Sequence, residues 1–385
     1  MNFAIDEEHQ MLKDLVARFV REQLLPLEAA ALAREAQTGQ LTVLEEDRLR
    51  LDAMSKKLGL WGLDAPEEMG GSNLPVTAMV GVNEEMGKSI LPYELPPDSP
   101  NLVMLLRSAN DRQRATYLDP YARGETHSAI AISEPGAGTD PAALTTRAVR
   151  AGDDWVINGR KIWISRADSA DWTIVMAVTD KAAGKKGISA FVVPTKTPGY
   201  TVARIEDKLG QHASDTAQIL FDNCRVPVAN LLGEEGMGLK IALSGLEGGR
   251  IGIASQAVGM ARAAFEAALA YSKDRKSFGQ PIFQHQAVQF KLADMATQIE
   301  VARQMIHHAA SLKDAGRPCL KEAAMAKLFA SEMAERVCSD AIQVFGGYGY
   351  VSDFPVERIY RDVRVCQIYE GTSEVQKILI GRALA

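Results

Sequence analysis

The hydrophobic period of this chain changes twice, and that constrains its fold more than any other feature. Between residue 6 and about 34, Leu12, Leu15, Val16, Phe19, Val20 and then Leu24 recur at helical spacing, with Asp6 placed to cap the start and Pro26 to kink or stop the helix. The pattern repeats over Leu41 to Leu58, near Thr77 to Lys88 and from about Asp111 to Tyr121. From about residue 126 the chain instead shows short β-rich runs: Ser128 to Ile132, Asp154 to Ile157, Lys161 to Ile164, Trp172 to Val178, Ile188 to Val193 and Ala217 to Phe221. Their spacing is that of a sandwich or barrel. After Gly233, Gly236 and Gly238 long helical segments return at about 239–275, 285–314, 320–344 and 373–383, with Ala-rich, Met-containing faces suited to helix-on-helix packing. An α+β chain of three units follows: 1–125 helical, 126–236 β, and 237–385 a helical bundle. Within the β unit, Asn158-Gly159 between two runs predicts a two-residue hairpin, because both corners of a type I′ turn need positive φ.

A chain of 385 residues, 46% hydrophobic and 24% charged, can bury such cores. Its net charge of -6, with Arg160, Lys161 and Arg166 scattered among apolar residues, argues against a nucleic-acid binder. Cys224, Cys319, Cys338 and Cys366 lie far apart without a CxxC pair, so buried free thiols in a reducing compartment are expected. The acidic start Met1 to Gln10 and the lack of an apolar run of about 18 residues predict a soluble, cytoplasmic protein without stable membrane insertion. The six histidines form no metal constellation, and HExxH and GxSxG are absent. No metal site is expected.

Four stretches offer chemistry. Ser133-Glu134-Pro135-Gly136-Ala137-Gly138-Thr139-Asp140 follows a strand, but Pro141 and the missing βαβ unit exclude a dinucleotide fingerprint; what remains is a Gly-rich turn with two hydroxyls, Ser133 and Thr139, or an ordinary loop. Trp163 and Ser165 share one strand face and could flank a flat ring, whereas Trp155 and Trp172 read as packing. Arg250 follows Gly248-Gly249 in a helix, where the pair costs about 2 kcal/mol relative to alanine, so close approach of a backbone or ligand should compensate; the arginine could hold a carboxylate or phosphate, or form a structural ion pair. In Tyr369-Glu370-Gly371-Thr372-Ser373-Glu374-Val375-Gln376 a carboxylate precedes a helix start, with Ser373 and Gln376 spaced as a capping box. Glu370 and the Gly371 N-H could form an adjacent base and oxyanion donor, or simply the lead-in to a capped helix.

Together these stretches resemble the acyl-CoA dehydrogenase family over nearly the whole chain. Ala131 to Asp140 is similar to its first motif, Asn158-Gly159-Arg160-Lys161-Ile162-Trp163-Ile164-Ser165 to its flavin-flanking hairpin, and Arg275-Lys276-Ser277-Phe278-Gly279 to a dinucleotide-side contact. Gln343-Val344-Phe345-Gly346-Gly347 and Tyr369-Glu370-Gly371-Thr372 complete an ordered set of five. The resemblance implies N-terminal helices, a middle β-barrel or sandwich and a C-terminal four-helix bundle, with FAD as cofactor and a homotetramer, a dimer of dimers. It implies that Ile132, Ser133, Thr139, Trp163, Ser165, Thr372 and Glu374 contact FAD in their own subunit, and that Arg275, Phe278, Gln343 and Gly347 reach the FAD of a neighbour. It further implies that Glu370 removes the α-proton of an acyl-CoA while Gly371 binds the thioester oxygen, that Thr139, Glu247, Arg250 and Tyr369 contact substrate, and that electrons leave to an electron-transfer flavoprotein.

Some relatives carry the base immediately before the arginine matching Arg250; here that residue is Gly249, so Glu370 keeps the role and Glu247 faces the CoA end. The spans Gly248 to Val258, Lys291 to Met295 and Lys321 to Lys327 are most similar to short-chain and branched short-chain members. Three departures stand out: His212 in place of a common arginine, Arg166 in place of a common asparagine, and the Pro-rich Leu91 to Pro100, a region that by analogy shapes the acyl pocket. An acyl-CoA oxidase, a relative acting on a non-standard thioester, and a non-catalytic helical scaffold are the competing expectations.

Overall fold

The computed structural model describes residues 6–38, 41, 43–91, 93–97 and 99–384, without the side chains at 99, 100, 246 and 247. The first helix, α1 (Glu7–Phe19), starts on Asp6, whose carboxylate accepts the Glu8 N-H at 3.1 Å. Pro26 neither stops nor ends it. Because proline has no N-H for the usual bond four residues back, the chain widens over Val20–Leu24, where Leu25 N-H reaches Val20 O, and continues as α2 (Leu25–Thr38). Then come α3 (Glu45–Lys57), α4 (Val76–Met86) and α5 (Ser99–Ser108), followed by short helical turns between 111 and 122. The sequence pattern did not predict α5.

The β region forms an eight-stranded sheet: β1 (Ser128–Ala131), β2 (Arg147–Ala151), β3 (Asp154–Ser165), β4 (Trp172–Val178), β5 (Ile188–Pro194), β6 (Tyr200–Ile205), β7 (Thr216–Pro227) and β8 (Leu231–Leu232), in the order β6-β7-β3-β2-β4-β5-β8, with β1 parallel to β4. Val175, Ala177, Phe191 and Val193 from one half pack with Trp155, Ile157, Ile219 and Phe221 from the other, so the sheet wraps one core. Trp172, Ile174, Met176 and Val192 point the opposite way, against Leu102, Leu105, Leu118 and Tyr121 of the N-terminal helices. Both faces of β4 are therefore buried, which is why its sequence is a continuous apolar run.

The hairpin expected at Asn158-Gly159 does not exist. Both residues lie inside β3, which pairs with β7 along its length with register shifts between Ile157 and Gly159 and again between Lys161 and Ile164. A Cβ on Gly159 would lie 2.6 Å from the Thr146 Cα, so this glycine serves close strand approach rather than a turn. The tight connection comes earlier, at Gly152-Asp153 between β2 and β3, where Gly152 has φ +67°.

The C-terminal region contains α6 (Gly238–Asp274), α7 (Gln286–Asp314), α8 (Leu320–Phe345), α9 (Pro355–Val363) and α10 (Ser373–Leu384). Alanines are prominent in the buried core between two of these helices, with Ala254, Ala257, Ala261 and Ala264 of α6 and Ala323, Ala326, Ala330 and Ala334 of α8 in one cluster. The N-terminal helices dock onto this bundle through Gly259, where a Cβ would lie 2.1 Å from Glu84 O, and through Arg262 and Arg303, which both bond the Glu84 carboxylate. Among the described residues, no helix is long and apolar enough to cross a membrane.

Candidate active site

The turn between α9 and α10 carries Glu370 and Gly371, and both have left-handed backbones, with φ +53° and +90°. Such a conformation costs a glutamate about 1 kcal/mol and persists only where neighbours over-determine it. Here they do. Gln376, wholly buried on the first turn of α10, donates from Nε2 to Gly371 O at 2.8 Å and to Glu370 O at 3.2 Å. Lys327, wholly buried on α8, donates to the same Gly371 O at 2.7 Å. The Gly371 N-H has no acceptor among the described residues.

The capping box expected from Ser373 and Gln376 is replaced by this arrangement. Thr372 is the capping residue, its Oγ1 accepting the Val375 N-H at 3.4 Å, while Gln376 ties down loop carbonyls instead of returning to the cap N-H. The Ser373 Oγ is buried without a hydrogen-bond partner among the described residues.

The Glu370 side chain lies across α6. A Cβ on Gly249 would fall 2.8 Å from Glu370 Oε2, so the carboxylate occupies the space that this glycine leaves open. Gly248 is likewise covered, by the Lys313 ammonium 3.2 Å from where its Cβ would be. The cost of the glycine pair is therefore compensated by close approach, as the sequence required. Oε2 of Glu370 is buried with no hydrogen-bond partner among the described residues. Burial pushes this carboxyl up to about 7, with Arg250 and Lys327 pulling the other way. Burial in turn pushes the Lys327 ammonium down to about 8. Tyr369, before the loop, donates from its hydroxyl to Gln256 Oε1 at 3.0 Å and contacts Cys366 Sγ at 3.5 Å. Arg250 is buried, and the Glu247 side chain lies outside the described residues.

A second cluster forms where β1 ends and β3 turns outward. Lys161, with no exposed surface, donates to Ile132 O at 2.9 Å and to Glu134 Oε1 at 2.8 Å. Glu134 also accepts from the Thr145 N-H and hydroxyl, both at 2.7 Å, and from the Thr146 N-H at 3.0 Å. Burial alone would raise the Glu134 carboxyl, but Lys161 and the two threonines outweigh it and hold it down at about 2. This pair fixes the turn carrying Ile132, Ser133 and Thr139, and Ser133 O accepts the Ile162 N-H at 3.0 Å. Immediately beyond, β3 shifts register between Lys161 and Ile164, and Trp163, with φ +58°, leaves 63% of its surface exposed. Ser165 is exposed too, and Cβ atoms on Gly136 or Gly138 would meet nothing within 4 Å.

The third set lies at the far ends of α6 and α8. Phe278 is 97% exposed with φ +49°, Gln343 and Gly347 are exposed, and the Arg275 guanidinium stands 5.5 Å from the Tyr348 ring beside an open cleft lined by Tyr271, Phe345 and Gly346. Thr372 is half-buried and Glu374 exposed at the start of α10. Of the departures, His212 bridges Glu35 (3.0 Å) and Lys208 O (2.7 Å), so the loop keeps a polar anchor without the arginine. Arg166 has φ +61°, donates its N-H to Asp215 Oδ1 at 3.0 Å, and pairs with Glu94 at 3.1 Å in the Pro-rich segment. Within that segment, residues 92 and 98 lie outside the described residues.

The sequence reading missed Lys327, Gln376, Gln256 and the Glu134–Lys161 pair. One signal was available for Lys327: it interrupts the otherwise small and apolar stripe Ala323, Ala326 and Ala330 on a buried helix face.

Both the sequence and the fold match known proteins. The N-terminal, middle and C-terminal domains of acyl-CoA dehydrogenases match residues 6–125, 129–224 and 236–385. The chain is 44% identical over 381 residues to the short-chain specific acyl-CoA dehydrogenase, mitochondrial, of Mus musculus, covering 98% of this chain and 90% of the relative. Butyryl-CoA dehydrogenase from Megasphaera elsdenii superposes with a TM-score of 0.89 at 38% identity over 100% of both chains. A chain from a structure described as the electron transferring flavoprotein of Acidaminococcus fermentans gives 0.89 at 42% identity, covering 100% of this chain and 99% of that one. With matches to all three domains in order and high identity along almost its full length, this chain belongs to the acyl-CoA dehydrogenase family.

Proposed function

We propose that this FAD-dependent acyl-CoA dehydrogenase acts on short or branched short acyl chains, with Glu370 abstracting the α-proton and the product leaving as the trans-2-enoyl-CoA. The observation that carries the assignment is the half-buried Glu370 carboxylate, whose Oε2 is buried without a partner among the described residues and which is pushed up to about 7, where a base is poised for use near neutral pH. An acyl thioester Cα-H is weakly acidic, so its removal needs stabilisation of the negative charge that builds on the thioester oxygen. The open Gly371 N-H, next in sequence to the base, is suited to that oxygen. Arg250, Tyr369, Thr139 and Glu247 are assigned to the substrate, the first two because they adjoin the Glu370 loop.

The residues present fit FAD. An indole with 63% of its surface open, on a strand end bent outward beside a turn whose glycines leave free space, suits a flat ring and a polar chain. Ile132, Ser133, Thr139, Trp163, Ser165, Thr372 and Glu374 would hold it within the subunit, and Arg275, Phe278, Gln343 and Gly347 would reach that of a neighbouring subunit. When bound, FAD supplies the acceptor for the Cβ hydrogen, taken as hydride. The nearly bare Phe278 ring, costly to leave in water, supports assembly into a homotetramer. Four free, buried cysteines support a reducing, cytoplasmic setting. The short-chain and butyryl-CoA relatives support the substrate class, and the flavoprotein structure supports an electron-transfer flavoprotein as acceptor. The three units 1–125, 126–236 and 237–385 are retained as its domains.

Anaerobic bleaching of the bound flavin by a panel of straight, branched and aromatic acyl-CoAs tests the substrate class. Fastest bleaching by four- or five-carbon acyl groups is expected, and preference for long or aromatic chains would overturn it. Stoichiometric hydrogen peroxide on aerobic turnover would mark an oxidase instead.

A further inference from the structure

We infer that Lys327 is a positioning residue for proton abstraction: its buried ammonium, together with Gln376, fixes the Glu370-Gly371 turn and faces the base as a positive charge. The inference rests on the reading of Glu370 as base. A lysine with no exposed surface is expensive to bury and usually stands opposite a carboxylate. Lys161 does so, whereas the bond found for Lys327 runs to a neutral acceptor, Gly371 O at 2.7 Å.

That carbonyl receives two donors, Lys327 Nζ and Gln376 Nε2, and Gln376 also bonds the preceding carbonyl of Glu370. In a trans peptide the C=O and N-H point in opposite directions. Fixing Glu370 O against Gln376 therefore aims the Gly371 N-H away from α10 and leaves it unengaged. Fixing Gly371 O against Lys327 holds the next peptide plane, so the left-handed φ values of both residues are braced from two helices, α8 and α10. One pair of side chains thus orients the proposed oxyanion donor and the backbone that carries the proposed base.

The charge has a separate effect. Arg250 from α6 and Lys327 from α8 are the cationic groups acting on Glu370, and both favour its ionised form against burial. Cys366 and Glu374 act on Lys327 as well. A neutral side chain at 327 removes one of the two cations, so Glu370 should hold its proton to higher pH.

The test is the pH dependence of anaerobic flavin bleaching in Lys327→Met, Lys327→Arg, Gln376→Met and Glu370→Gln holoenzymes, with FAD content and melting temperature measured alongside. Lys327→Met should bleach about tenfold to a hundredfold more slowly, as expected for a displaced reacting group. The acid limb of its profile should move up by about one pH unit. Lys327→Arg should keep the wild-type limb, and Gln376→Met should slow bleaching without moving it. A folded, FAD-loaded Lys327→Met with wild-type rate and limb overturns the inference. If Lys327→Met does not fold, wild-type rates in both Lys327→Arg and Gln376→Met overturn it. Glu370→Gln separates the two failures. Normal bleaching there removes the base assignment itself, whereas an inert Glu370→Gln beside an unaffected Lys327→Met removes only the role of Lys327.

Discussion

Two glutamates in this protein, one buried and one half-buried, sit within reach of a buried lysine, and they are held in opposite states. Glu134 is 2% exposed and accepts four hydrogen bonds, one from Lys161, which keep it ionised down to about pH 2. Glu370 has an oxygen without a partner among the described residues, and its lysine bonds the neighbouring carbonyl instead, so desolvation prevails and pushes the carboxyl up to about 7. A carboxylate satisfied on all sides anchors the turn beneath Trp163. One left short of partners at the mouth of a Gly-Gly step retains an oxygen for a substrate proton. The difference lies in partners, since Glu134 is the more deeply buried of the two and still the more easily ionised.

The largest test of this contrast is on stability. Glu134→Gln leaves the Lys161 ammonium buried without a counter-charge and should cost about 3–5 kcal/mol in denaturant unfolding. Replacing both members with Glu134→Leu and Lys161→Met should restore part of that loss. A double variant no more stable than Glu134→Gln would contradict the pairing account.

The second test uses the sign of the two shifts. Glu134 has its pKa depressed, so its contribution is present above its ordinary value of 4.5 and is lost as the pH falls toward 2. Glu370 has its pKa raised, so the folded state binds a proton that the unfolded state has released, and stability falls as the pH rises from 4.5 toward 7. Glu370→Gln should therefore be more stable than wild type at pH 8, by on the order of 3 kcal/mol, and equal to it near pH 4. Melting curves of substrate-free protein at the two pH values decide this; a gain independent of pH would contradict the raised pKa.

Gly249→Ala gives the smallest expected change, about tenfold to a hundredfold in bleaching rate. The new methyl meets the movable end of Glu370, which swings aside, and stability stays within about 1 kcal/mol because alanine favours the helix. Unaltered bleaching would mean that the carboxylate does not work from its position over Gly249.

Much of this was legible in the sequence. The changes of period mark out the helical, β and helical regions, and Glu370, Gly371 and Gly249 stand out in the sequence itself. Local chemistry misled where tertiary contact decides. Asn158-Gly159 has turn composition, yet the glycine is there because Thr146 packs against it. The strands Arg147–Ala151 and Tyr200–Ile205 are mostly exposed or half-exposed and carry little apolar signal. Lys327 and Gly371 are far apart in sequence, so no local pattern could join them, whereas the burial of Lys327 could have been suspected from the alanines around it.

The most direct test of the central claim is anaerobic bleaching of FAD-loaded Glu370→Gln by a short-chain acyl-CoA. General-base catalysis of this kind contributes about 10²- to 10⁴-fold, so bleaching should slow by at least the lower of these factors while FAD content stays at the wild-type level. Bleaching at the wild-type rate would show that proton abstraction is carried elsewhere in the molecule.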